Sequence, residues 1–112
     1  NMATKPIINI MGTKCRPELE EEFNRWYNEI HIPLLLKFKG IKEATRYKII
    51  NETEEYPTYL TIYEFESQKA YEAFTTSPEY AATREEMSET WKEGGFELKW
   101  RVQYAPIKTW KR

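Results

Sequence analysis

Apolar residues along this chain recur with two periods, near 3.6 and near 2, and the order of those runs predicts the fold. Lys5 to Lys14 carries Ile7, Ile8, Ile10 and Met11, a strand with apolar residues on both faces. Arg16-Pro17-Glu18 then opens a helix: proline suits a first helical turn, and Glu18, Glu20, Glu21 and Glu22 complement the positive end of the dipole. Leu19, Phe23, Trp26, Tyr27 and Ile30 follow at helical spacing as one amphipathic stripe. Pro33 disfavours helical backbone at Ile32, so the helix is expected to break or kink there. A further turn over Leu34 to Phe38 is expected to close at Gly40 in a left-handed cap. Ile41 to Ile50 alternates as a strand, with Ile41, Thr45, Tyr47 and Ile49 on one face and Ala44, Arg46, Lys48 and Ile50 on the other.

After a polar loop from Asn51 to Pro57, Tyr59, Thr61, Tyr63 and Phe65 share one face of a third strand and Leu60, Ile62 and Glu64 the other. Ser67 can cap a short helix bearing Ala70, Ala73 and Phe74. Ser77-Pro78-Glu79 starts a second, which carries Tyr80, Ala81, Met87 and Trp91 and ends at Gly94-Gly95. Phe96, Leu98, Trp100, Val102 and Tyr104 alternate with Glu97, Lys99, Arg101 and Gln103, an uninterrupted period of two. Pro106 interrupts pairing, leaving Ile107 to Trp110 as an edge or an arm.

The order is β-α-β-β-α-β with the second helix in two pieces. That is an α+β domain over residues 2–112, with both helices on one face of a four-stranded antiparallel sheet, the ferredoxin-like arrangement. Several strands are apolar on both faces, so the helices leave one face uncovered. A homodimer packed sheet against sheet is the simplest cover.

Composition narrows the functional classes. Seventeen Lys and Arg stand against 18 acidic residues, with net charge −1, so no basic surface for nucleic acid is expected. No apolar run reaches the roughly 20 residues of a membrane-spanning helix, and no signal peptide opens the chain, which makes the cytoplasm the expected location. Asn1 ahead of Met2 resembles the remnant of an expression tag. The one cysteine, Cys15, excludes an internal disulfide. Lys14 and Arg16 beside it could lower its pKa, although no second histidine exists to serve as its base. One histidine and scattered carboxylates give no metal-ligand spacing, and no Gly-rich loop offers a phosphate site, so no cofactor is expected. Aromatic residues make up 15% of the chain, enough for a large aromatic core, a lined pocket or a sizeable interface.

That one histidine, His31, is the only side chain titrating near neutrality without a perturbed environment. On an ideal helix it lies roughly 100° from the centre of the stripe, beside Tyr27 and near Asn24, on the rim of the buried face. The helix C-terminus should raise its pKa toward or above neutrality, as a general acid or base requires. The alternative is a structural ring that caps the last carbonyls. Tyr27 and Tyr63 could orient a substrate oxygen, or simply fill the core. Arg46 could bind an anion or pair with Glu64 on the neighbouring strand. Trp26, central on the stripe, is expected to be core. Trp100 and Tyr104 suit the core or the dimer interface.

The order of elements, together with Phe23…Trp26-Tyr27…Glu29…His31-Ile32-Pro33 and Gly40…Arg46-Tyr47, resembles the dimeric α+β barrel superfamily, and within it the EthD-like branch. That resemblance implies a small, largely apolar cavity between helices and sheet. The superfamily's histidine falls on His31, while the extra histidines some members use have no counterpart. Members include cofactor-free monooxygenases, muconolactone isomerases, polyketide cyclases and dehydratases, haem-degrading enzymes and proteins of no assigned activity. The implied function is cofactor-independent isomerisation, dehydration or cyclisation of a polyketide- or lactone-like hydrophobic compound. His31 and Tyr27 would be catalytic, and Tyr63, Arg46 and Asn24 would bind substrate. The alternatives are a non-catalytic dimer that binds a small molecule or merely folds, and a cofactor-free or haem-dependent monooxygenase.

Overall fold

The computed structural model describes residues 4–112; Asn1 lies outside them. Four strands, β1 (Ile7–Cys15), β2 (Ile41–Lys48), β3 (Tyr59–Phe65) and β4 (Phe96–Tyr104), form one antiparallel sheet in the order β2-β3-β1-β4. Helix α1 (Glu20–Trp26), introduced by a 3-10 turn at Pro17–Leu19, and helices α3 (Gln68–Phe74) and α4 (Pro78–Thr90) supply the crossovers. This is the expected βαββαβ fold with its second helix in two pieces. Ser67 and Ser77 cap α3 and α4, accepting from the backbone N–H of Ala70 (3.0 Å) and Tyr80 (3.1 Å). Gly94 and Gly95, with φ of 80° and 133°, carry the chain from α4 into β4 through backbone that other residues rarely adopt.

Helix 1 departs from its expected course at Pro33. Instead of breaking, it widens into a π turn over Tyr27–His31 and resumes as α2 (Ile32–Leu35). Ile32 keeps helical angles (φ −63°, ψ −44°), and its N–H reaches back five residues to the Tyr27 carbonyl. A proline has no N–H to donate and crowds the preceding turn, and the wider turn accommodates both defects. The extra residue also changes which side chains face inward. Ile30, expected in the stripe, is 44% exposed, whereas His31 is 8% exposed.

Gly40 does not adopt the expected left-handed cap. Its lack of a side chain serves a close approach instead, since a Cβ there would lie 2.5 Å from Cε2 of Phe38.

Two strands contain bulges that strict alternation did not anticipate. In β2 the register slips between Ile41 and Glu43, so Ala44, Arg46 and Lys48 share the helix-facing side with Ile41 rather than opposing it. In β4 it slips beside Gly12 and Thr13, which face Trp100 and Leu98. Phe96 and Leu98 thus share a face with Arg101 and Gln103, while Trp100, Val102 and Tyr104 turn to the other side. On β3 the expected split holds, with Tyr59, Thr61, Tyr63 and Phe65 all buried.

Two buried clusters fill the layer between sheet and helices. One gathers Phe23, Trp26, Tyr27 and Tyr59, the other Ile7, Leu35, Ile41, Tyr63, Phe65 and Phe74. The opposite face of the sheet carries Ile8, Ile10, Leu60 and Ile62, with Trp100 (38% exposed) and Tyr104 (58%) along its β4 side, and no helix among the described residues covers it. Trp100 and Tyr104 are therefore not core. Beyond β4 the chain runs on as an arm, with Ile107 97% and Trp110 77% exposed.

Candidate functional site

A cavity of about 380 Å³ lies between the sheet and the helices and draws its walls from both clusters. Helix 1 contributes Trp26, Tyr27, His31 and Leu35, and α4 contributes Tyr80, Thr83, Arg84 and Met87. The sheet forms the floor with Asn9, Met11, Thr13, Tyr63 and Phe65, and the β4 bulge adds Leu98 and Arg101. The lining is mostly apolar, as small-molecule sites tend to be.

The π turn places His31 against this cavity. Its ring stacks on Trp26, five residues earlier, at 4.5 Å and 24°, and meets Tyr27 edge-on at 4.8 Å. Residues five apart on an α-helix lie about 140° apart around the axis, and only the wider turn brings them together. Trp26, expected only as core, is both core and wall. Its indole N–H is anchored to the Glu86 carboxylate at 2.9 Å, which fixes the plate on which His31 rests.

The electrostatics reverse the expected state of His31. Burial, and secondarily the positive charge of Arg46, lower its pKa from 6.5 to about 4, so the ring is neutral at neutral pH. The raising effect expected of a helix C-terminus is absent because the helix continues through Pro33 into α2. Nor does the ring cap a terminal carbonyl: its Nδ1 is buried without a hydrogen-bond partner. The Tyr63 hydroxyl is likewise buried and makes no hydrogen bond of normal geometry among the described residues, although the Tyr27 and Thr61 hydroxyls lie close enough to interact with it; burial, then Tyr27, hold its pKa well above the ordinary tyrosine value. Burial raises Tyr27 as well. Both phenols are un-ionised hydrogen-bond donors.

Arg46 and Asn24 stand apart from the lining. Arg46 does not pair with Glu64, which points to the opposite face of the sheet; across β3 it lies beside Thr61. Its guanidinium covers the ring of Tyr27 at 4.4 Å and that of Tyr59 at 5.2 Å, and donates to Oδ1 of Asn28 at 2.8 Å. It acts on the cavity from behind, through charge. Asn24 donates to the Glu20 carbonyl and to the Tyr59 hydroxyl, both at 3.0 Å, and Tyr59 in turn donates to the Glu20 carboxylate. Cys15 does not have the lowered pKa its neighbours suggested. Burial and the Glu20 carboxylate raise it, which suppresses the thiolate.

Sequence reasoning missed Arg84, Arg101 and Asn9. Arg101 was hidden by the bulge, which no residue type in β4 signals. Asn9 is held by Gln103, whose Nε2 donates to its Oδ1 at 2.7 Å. Among the described residues no cluster of three His, Cys, Asp or Glu could hold a metal ion. No helix among them is long and apolar enough to cross a membrane.

A family model described as a domain of unknown function, DUF4286, matches residues 7–102. The chain belongs to the DUF4286 family. No protein with a curated description matches this DUF4286 chain. Solved structures show its fold in other proteins. A hydroxynitrile lyase from Passiflora edulis is 12% identical with a TM-score of 0.71, the match covering 96% of this chain and 99% of that one. An EthD family protein from Bacillus halodurans is 14% identical with a TM-score of 0.67, covering 90% and 99%. A dimeric protein of unknown function and ferredoxin-like fold from Bacteroides fragilis is 20% identical with a TM-score of 0.61, covering 89% and 95%. The DUF4286 chain thus has the ferredoxin-like fold that the order of its elements implied.

Proposed function

We propose that this DUF4286 protein binds a hydrophobic small molecule bearing a carbonyl or hydroxyl oxygen in the cavity between sheet and helices, with His31 and Tyr63 holding that oxygen. One observation carries the reading. On the wall of a largely apolar cavity lie two buried polar atoms that make no hydrogen bond of normal geometry among the described residues, Nδ1 of His31 and the hydroxyl of Tyr63, the latter near the Tyr27 and Thr61 hydroxyls. Buried polar groups are nearly always satisfied, and an unpaired one costs about 1–3 kcal/mol. A ligand oxygen supplies what is missing. Tyr63 donates to it, and the neutral imidazole donates or accepts according to its tautomer.

The chemistry that fits such a pair is cofactor-independent proton transfer beside a carbonyl, as in isomerisation, dehydration or cyclisation. His31 would take a proton from the adjacent carbon while Tyr63, with Tyr27 behind it, stabilises the oxygen on which charge develops. The depressed basicity of His31 favours a second reading, a binding protein in which the same pair only orients its ligand. The uncovered apolar face of the sheet and the dimeric relative from Bacteroides fragilis support a homodimer packed through that face, which leaves the cavity side free.

Acetylnaphthalene and ethylnaphthalene, alike in shape and differing in the oxygen, test the binding. The ketone is expected to bind about tenfold more tightly, the value of one good hydrogen bond to a buried group. His31→Phe, which keeps the stack on Trp26, and Tyr63→Phe should each shrink that preference. Equal affinities for ketone and hydrocarbon in the wild type would overturn the reading. In deuterated buffer, exchange of the ketone's methyl protons above the buffer rate, lost in His31→Phe, marks catalysis; tight binding without exchange marks the binding protein.

A further inference from the structure

We infer that the ligand also carries an anionic group, a carboxylate, held at the mouth of the cavity by Arg84 and Arg101. This rests on the cavity being the binding site and adds the class of molecule: a hydrophobic keto or hydroxy acid with its two polar ends apart.

The charges of the lining are one-sided. Its charged residues are Arg84 on α4 and Arg101 on β4, and no aspartate or glutamate accompanies them. Both arginines are exposed, whereas His31 and Tyr63 are buried, so the cations stand at the solvent end of the cavity and the unpartnered polar atoms at its inner end. Some cations of this chain sit in ion pairs, as at Lys14–Glu52, Arg25–Glu21, Lys48–Glu20 and Lys99–Glu97. Among the described residues neither Arg84 nor Arg101 has such a partner. Arg84 lies over the Tyr80 ring at 5.6 Å. Arg101 is near enough to Tyr71 to act on its hydroxyl electrostatically, and both tyrosines also line the cavity.

Two planar guanidinium groups on one cavity lining, Arg84 over the Tyr80 ring and Arg101 near Tyr71, make a receptor for a carboxylate, which each can grip through paired N–H donors. The β4 bulge strengthens the assignment. In a regular strand Arg101 would fall on the face opposite Phe96 and Leu98; with the bulge at Lys99, all three meet the cavity.

Acetylnaphthoate, with carboxylate and ketone at opposite ends of the rings, tests the inference against acetylnaphthalene, which lacks the acid. Titration followed by amide NMR gives both affinities and locates the site. The acid should bind about tenfold more tightly than the ketone at low salt, and the gap should narrow as sodium chloride is raised. Shifts should centre on Thr83, Arg84, Arg101 and His31. The exposed pair changed together, Arg84→Met with Arg101→Met, should bring the acid down to the affinity of the ketone. If the ketone binds and the acid binds no better, or if the acid's advantage survives the double substitution, this inference fails and the cavity reading stands. If neither compound shifts the cavity residues, both fail.

Discussion

His31 should behave as a buried base whose ionisation opposes folding, and the structure sets the size of the effect. Its pKa is about 4 when folded and 6.5 when free. Above pH 6.5 the ring is neutral in both states and contributes nothing to the pH dependence. As pH falls through 6.5 the unfolded chain takes up the proton first, so stability drops, and the loss levels off once the folded ring is protonated near pH 4. Each unit between the two values is worth about 1.4 kcal/mol, giving a limit of about 3 kcal/mol, of which about 2 kcal/mol is gone by pH 5. Because this is the only histidine, one imidazole C–H resonance reports the titration without ambiguity. The expected midpoint is near 4. Urea unfolding at pH 7.5 and pH 5 should show the loss of about 2 kcal/mol in the wild type, and His31→Asn should abolish most of it. Arg46→Met should raise the midpoint without returning it to 6.5, since burial is the larger cause. A wild-type midpoint at or above 6 would refute the reasoning. It would mean that the ring is solvated or paired, and the cavity wall would lose its unsatisfied base.

Three further outcomes follow from the same geometry. Ile30→Asn should change stability by no more than about 0.5 kcal/mol in denaturant titration, because the π turn leaves Ile30 exposed; a loss of about 2 kcal/mol or more would restore it to an α-helical core stripe. Tyr63→Phe removes a buried hydroxyl that makes no hydrogen bond of normal geometry among the described residues, so Tm should hold or rise, by up to about 1 kcal/mol of stability. A clear drop would reveal a protein partner for that oxygen. Light scattering should give twice the 13.5 kDa mass of the chain, and Ile62→Glu, on the uncovered face, should give the monomer. A wild-type monomer at micromolar concentration would remove the sheet-to-sheet dimer.

What was legible in the sequence, and what was not, divides along one physical line. Residues in regular backbone report their own facing: the alternation of Tyr59, Thr61, Tyr63 and Phe65 placed each on the buried side, and the caps Ser67 and Ser77 marked two helices. The prominence of His31, Tyr27 and Tyr63 came from residue type and neighbourhood, and all three line the cavity. The angular position of His31, its charge state and the facing of Arg46 and Arg101 depended on periods that one extra residue breaks. Pro33 did signal an irregularity. It could not say whether the helix would stop or widen, because that choice depends on what packs against Ile30 and His31 across the chain.

Helix 1, β2 and β4 each contain one such irregularity, and each adds a single residue to its element. The consequence is the same in every case: the chain's phase shifts and an ionisable side chain turns to the side of the helix–sheet layer. The π turn brings in His31, the β2 bulge Arg46 and the β4 bulge Arg101. For packing alone these shifts are unfavourable. The helix gives up Ile30 to solvent for an imidazole with an unpaired nitrogen, and Arg46 is left with Nε and Nη2 buried and unpartnered. Unfavourable burial of His31 and Arg46 beside one cavity is hard to explain by folding, since an uninterrupted α-helix would have buried Ile30 in place of His31 and unbulged strands would have turned Arg46 and Arg101 to the other face of the sheet. The binding site proposed above accounts for it, since a ligand would supply the missing partners and the stability lost to the empty cavity would be regained on binding.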